Sequence, residues 1–288
     1  MKLLNILIIS SLCGIHCYGQ SDSTVKPAAD TVNNKSTFTI GAVYSNNANY
    51  YGQRAEENIP YVAAAATYRT KSGIYFSGTA YRLLKDTAGF VSAGSLGAGI
   101  EFKLSKKFSA DLSYSHTFYP ALSPFLQASN PDNASASIIY DNWLSSKVTA
   151  DYAFGKTQDF FVTAGTGKQV KLGSISPKDI ITITPAFDVT AGTQRFYQTY
   201  LTEKRLRDSL LGIVLTPIFG PPSQDGGSTT IVTTQFNLLS YNFKLPVAYN
   251  RANYLFEIEY QLSVLSKKAQ SGSGKANSFF SASFYYQF

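Results

Sequence analysis

The sequence predicts an all-β fold, an antiparallel up-and-down barrel that crosses a lipid bilayer in twelve strands. Three observations predict it. Segments of about ten residues recur in which apolar and polar side chains alternate, the period of a strand with one face to lipid and one to a polar lumen. The chain closes on an aromatic strand, Asn277 to Phe288. The connections between segments sort into short ones at one end of the barrel and long ones at the other, the asymmetry of such barrels.

The front of the chain comes first. Met1-Lys2, the apolar run Leu3 to Cys13 and the small-x-small site Cys17-Tyr18-Gly19 read as a secretory signal peptide over 1–19, cleaved after Gly19. The run is too short for a membrane helix, which needs about 20 residues. Both cysteines, Cys13 and Cys17, leave with it. The mature chain therefore has no disulfide, thiol nucleophile or Cys-ligated metal site. His116 is then the remaining histidine, and no cofactor is implied. Losing Lys2 takes the formal charge from +7 to +6. In a chain only 15% charged, that excess gives no reason to expect nucleic acid. Basic residues at the rims would instead meet anionic lipid head groups. Residues 20–35 are polar, show no strand pattern and read as a flexible periplasmic leader ahead of a barrel over 36–288.

Alternation then places the strands, at 36–46, 59–70, 73–84, 91–104, 107–119, 159–172, 180–195, 230–245, 251–265 and 277–288, with a further run at 134–155. In Tyr254 to Val264 the even positions are all apolar or aromatic, and the odd ones include Glu257, Glu259, Gln261 and Ser263. The run 134–155 is too long for one crossing of about 9–11 residues. Asp141-Asn142 suits a tight turn, so it splits into 134–141 and 143–155. The count becomes even, as it must when both termini lie in the periplasm. Short inner turns are then expected near 71–73, 105–107, 141–143, 173–179 and 246–250, with Pro246 at a strand end. Outer loops fall near 47–58, 85–90, 120–133, 156–158, 196–229 and 266–276, and include all the longest connections. Within 196–229, Thr199 to Gly212 has helical character.

Ile183-Thr-Pro-Ala-Phe-Asp-Val-Thr-Ala-Gly-Thr-Gln194, Tyr241-Asn-Phe-Lys-Leu-Pro-Val-Ala-Tyr249, the strand from Tyr254 and the terminal Phe-Tyr-Tyr-Gln-Phe carry a resemblance. In these the chain resembles the small outer-membrane β-barrel proteins of Bacteroidota. The resemblance implies a place in the outer membrane among lipid and lipopolysaccharide. It also implies insertion by the barrel-assembly machinery through the C-terminal strand, where Phe284, Tyr286 and Phe288 form the signal. It supplies no catalytic residues.

Three functional readings follow. The first is a structural or narrow-pore, porin-like barrel without catalysis. Its lumen-lining candidates are Glu101, Lys103, Asp111, Lys147, Asp151, Asp188, Lys244, Glu257 and Glu259, which would either pair and fill the lumen or line a path. The second is an outer-surface binding module on the 196–229 loop, where Lys204, Arg205 and Arg207 would contact phosphates or an acidic glycan. The third is a membrane-embedded lipid hydrolase, which needs a nucleophile and base within reach of each other. His116 is the available base, but its neighbours Ser115 and Thr117 point to the opposite face of a strand, and the His-x-Ser arrangement of barrel phospholipases is absent. By parity His116 faces outward near the outer rim.

Overall fold

The computed structural model describes residues 35–85, 90–212, 235–269 and 275–288, with the side chains of 198 and 205–212 outside that set. The expected signal peptide and nearly all of the expected leader lie outside the described residues. The first half of the sheet consists of β1 (Thr37–Ser45), β2 (Tyr61–Arg69), β3 (Ile74–Leu83), β4 (Ala93–Lys103), β5 (Phe108–Phe118), β6 (Asp132–Asp141) and β7 (Ser145–Phe154). The second half consists of β8 (Gln158–Gly167), β9 (Val170–Gly173), β10 (Asp179–Ile183), β11 (Ala186–Gly192), β12 (Asn237–Arg251), β13 (Tyr254–Leu265) and β14 (Ala276–Gln287).

Each of β1 to β7 pairs antiparallel with the next, β8 pairs with β11, and β11 to β14 follow through β12 and β13. Pairing of β14 with β1, from Thr39↔Gln287 to Ser45↔Ser281, closes the ring. Beyond the last strand, the Phe288 amide donates to the Phe38 carbonyl at 2.8 Å. β9 continues β8 and β10 leads into β11, so the fourteen segments form twelve crossings.

Prolines explain the two interruptions. In an extended chain a residue's N–H and C=O point to the same neighbour. The Pro185 carbonyl accepts from the Lys168 amide (3.1 Å), so its missing donor faces the gap between β8 and β9. The Pro246 carbonyl accepts from the Thr184 amide (3.0 Å), so its missing donor faces the gap between β10 and β11. This corrects the expected turn at 246–250. Pro246 lies inside β12, paired with Glu259, and the chain reverses at Ala252-Asn253 instead. Opposite a broken ladder, proline costs the sheet little.

The turn through Asn142 is confirmed, Asp141 pairing with Ser145 across it. Connections at the rim where β1 begins and β14 ends, the rim of the described chain ends, are short. Those at the far mouth include 46–60, 119–131 and the segment containing helix α1 (Arg195–Gly212). The helix begins a turn earlier than the sequence suggests, because a buried carboxylate caps it there.

The outer wall is apolar. Phe76 (55% exposed), Leu96 (60%), Phe118 (57%), Ile138 (54%) and Phe243 (50%) all face out between strand neighbours that face in. In water such a belt would drive aggregation, whereas against lipid it is the face that the solvent demands. Phe280, Phe284 and Phe288 continue it along the closing strand.

Candidate functional site, a lumen stoppered by the first loop

The connection 46–60 between β1 and β2 turns inward and fills the far mouth of the barrel. At its tip, Tyr50 and Gln53 exchange both backbone hydrogen bonds (2.8 and 3.0 Å) around Tyr51 and Gly52, which have φ of 53° and 82°. A two-residue turn with both central residues left-handed needs a glycine in at least one place. Here the space requires it as well, since a Cβ on Gly52 would sit 2.6 Å from the Ser240 hydroxyl.

Polar side chains of three consecutive strands hold one flank of this tip. Gln261 accepts from the Asn49 amide (3.1 Å), Asn277 donates to the Gly52 carbonyl (2.9 Å), and Ser240 donates to the Tyr51 carbonyl (2.9 Å). Gln261 in turn donates to Asn242 (3.2 Å) and Ser263 (2.8 Å), so the lumen-facing amides form one connected set. The other flank is aromatic. Tyr51 stacks on Phe161 with ring centroids 3.8 Å apart, and Tyr50 meets Phe196 edge-on at 4.7 Å. Tyr50 is 1% exposed and Gln53 fully buried, so the tip is core rather than surface.

A second layer covers the first. Asp159, 1% exposed at the start of β8, accepts from the amides of Arg195 (2.8 Å) and Phe196 (2.9 Å), which lack partners in the first turn of α1. It also accepts from Thr193 (2.6 Å) and Asn130 (2.9 Å), which ties the 119–131 connection to the helix. The helix then bonds the stopper. The Glu56 amide donates to the Tyr200 hydroxyl (3.2 Å), and Lys204 lies 3.4 Å from the Glu56 carboxylate. Burial, with the nearby Glu56 charge, pushes the Tyr197 phenol up to about 12.

Below the stopper, the expected lumen residues occupy the inner wall with one exception. Arg69 bridges to Glu101 at 2.7 Å, and Tyr75 donates to Asp111 at 3.1 Å. Glu101 and Asp111 are direct cross-strand partners, and these separate bonds keep two like charges apart. Lys244 and Asp188 form a buried pair at 2.9 Å, and the Asp188 carboxylate lies over Gly165, where a Cβ would collide with it. Asp151 is buried, and Lys147, Glu257 and Glu259 are half-buried on the same inner face. Lys103 is the exception. It is exposed at the rim of the chain ends, because β4 runs past the lumen there.

His116 faces outward, with its Nδ1 2.7 Å from Asp132, which also accepts from the Tyr114 hydroxyl (2.5 Å). Ser115 and Thr117 are buried on the lumen side, so neither hydroxyl shares the imidazole. Of the three loop cations, Lys204 is engaged by Glu56, and the side chains of Arg205 and Arg207 lie outside the described residues.

The stopper was not singled out from sequence, yet it left two signals. Asn46 to Gln53 is a long uncharged stretch with two tyrosines, unusual for a loop bathed in water. Asn242, Gln261 and Asn277 also share the lumen-facing parity of three successive strands.

No protein-family model matches the chain, and no curated protein matches it in sequence. Among solved structures it is similar to a KdgM porin (TM-score 0.47, 10% identity, 87% of this chain and 99% of that one). It is also similar to a NanC porin (TM-score 0.44, 8% identity, 86% and 98%) and to LpxR from Salmonella typhimurium (TM-score 0.42, 8% identity, 87% and 99%). With identities and TM-scores this low, none of the three bears on what this barrel does.

Proposed function

We propose that this protein is an integral outer-membrane barrel with a structural or narrow-pore role and no catalytic chemistry, held closed at its outward mouth by its first loop. In this reading the rim holding the chain ends faces the periplasm. The apolar wall meets outer-membrane lipid and lipopolysaccharide, and Phe284, Tyr286 and Phe288 present the closing strand to the barrel-assembly machinery. The single observation that carries the reading is the buried tip Asn49 to Gln53, bonded on one flank and stacked on the other. A loop so fixed occupies the space a solute would need. The inner wall below it is lined by charges of both signs, with Arg69 in contact with Glu101 and Lys244 with Asp188. That favours a filled lumen over a wide conduit. Engagement of Lys204 by Glu56 makes the described part of the 196–229 segment, α1, a clamp on the stopper before it is a receptor for anions.

Planar-bilayer recording tests this. The intact protein should be silent or show small, brief steps, and removal of residues 48–55 should give a larger and persistent conductance. A wide, steady conductance from the intact chain, or no change on shortening a folded barrel, would overturn it.

A further inference from the structure

β9 leaves the sheet with an open edge. β7 and β8 pair as far as Ser145↔Gly167 and no further, and Val170 to Gly173 then pair with β10 alone among the described residues. All four are exposed. Alternate residues along the free side therefore present amide and carbonyl groups with no strand to meet them.

The position of this edge limits where it can lie. An unpaired, lipid-facing edge is not tolerated in the hydrocarbon of a bilayer. It must then sit at head-group level or beyond, at the rim that holds the chain ends. Trp143, 71% exposed beside it with the Lys168 ammonium 4.5 Å from its ring, is the kind of aromatic that marks a membrane interface. The edge is therefore open to the aqueous compartment on that side.

Val170 and Lys171 alternate across the strand, and a bulge follows where the register shifts between Thr182 and Ile181. Val170 lies opposite Ile183 on the outer face, and Lys171 lies opposite Thr182 on the inner face. Leu172 (58% exposed) and Ile175 (77%) extend the apolar set, and Lys168 and Lys178 flank it. The nearest carboxylates are already committed. Asp179 accepts from the amides of Ile175 and Ser176 and from the Tyr249 hydroxyl, and Asp141 accepts from Ser145. An exposed backbone edge with Val170 on one face, Lys171 on the other and lysines flanking it is complementary to one kind of strand.

We infer that β9 is a docking edge for an extended peptide segment of a partner protein, one whose residues alternate between apolar and acidic. The segment adds to β9 as a further strand. An apolar side chain lies beside Val170, and a carboxylate lies beside Lys171. Only the name of the compartment, the periplasm, rests on the function proposed above; the edge itself exists in either orientation.

The test uses the full chain in detergent micelles and a fluorescent peptide of about seven residues alternating valine and glutamate, read by anisotropy. Saturable binding is expected, weakened by salt and lost when a central valine of the peptide becomes proline. Lys171→Pro, which removes the amide that faces the free side, should weaken binding by about tenfold or more. Should that variant fail to fold, the double change Lys171→Glu with Lys178→Glu keeps the backbone and should reverse the preference toward a valine–lysine peptide. A photocrosslinker at Ile175 should capture the peptide. Absence of saturable binding, or binding unchanged by both sets of substitutions, would overturn the inference and leave these apolar residues as ordinary lipid contacts. Conductance is not part of this readout, so failure here leaves the proposed closed lumen untouched, and the reverse also holds.

Discussion

Tyr51 lies flat on Phe161, with ring planes 15° apart and centroids separated by 3.8 Å, so the tip of the first loop rests on the wall of the eighth strand. Truncating a buried aromatic side chain costs about 3–5 kcal/mol. In Tyr51→Ala that loss falls on docking of the loop rather than on the barrel. The expected outcome is new protease cleavage within 46–60, together with longer open events in bilayers. Heat resistance of the barrel on gels should be retained.

Asp159 serves α1 and the 119–131 connection at once. Asp159→Ala removes a helix cap worth about 1–2 kcal/mol and leaves buried donors of Asn130 and Thr193 without their acceptor. Limited proteolysis should then cut near 195–204 and near 125–130 together. Cleavage at only one of the two would show that the carboxylate does not couple them.

Lys244 and Asp188 form a pair that is worse broken than removed. Lys244→Met or Asp188→Leu alone leaves a buried charge and should lower stability by about 3–5 kcal/mol. Lys244→Met with Asp188→Leu should cost clearly less. Urea unfolding of the four proteins in lipid vesicles gives the coupling directly, and additive losses would refute it.

Gly165 provides the room for that pair. Gly165→Ala puts a methyl group against the Asp188 carboxylate, and overpacking of this kind costs about 1–3 kcal/mol. The penalty should shrink in Asp188→Leu only if the new side chain turns away. It should fall furthest in Asp188→Gly, where only the Phe187 carbonyl, at an ordinary contact distance of 3.4 Å, remains beside the position. A penalty independent of residue 188 would place the strain elsewhere.

Most of the wall was legible because alternation is a local property. Tyr254 to Val264 announces its two faces without reference to any neighbour, and Asp141-Asn142 announces a turn. Pro246 was misplaced for the opposite reason. Whether a missing N–H matters depends on the strand alongside, and the break at Thr184-Pro185 that excuses it lies far earlier in the sequence. Lys103 shows the same limit, since alternation gives the face of a residue but not where the lumen ends. Asp159 begins a strand with no local mark of a helix cap, because the helix it caps starts at Arg195. The inward course of Asn46 to Gln53 depends on partners in β12 to β14, which no window along the sequence contains.

Those partners also fix an order of events. The stopper belongs to the first hairpin of the chain, but its bonds to Ser240, Gln261 and Asn277 span 189, 212 and 225 residues. Contacts of such separation form late, after the cost of closing the intervening chain has been met. They need β12, β13 and β14 to be standing together, the same strands that bring Phe288 to Phe38. A partly built sheet therefore has neither a closed ring nor a seated stopper. Sealing the mouth becomes a signature of completed assembly, acquired when the last strand meets the first.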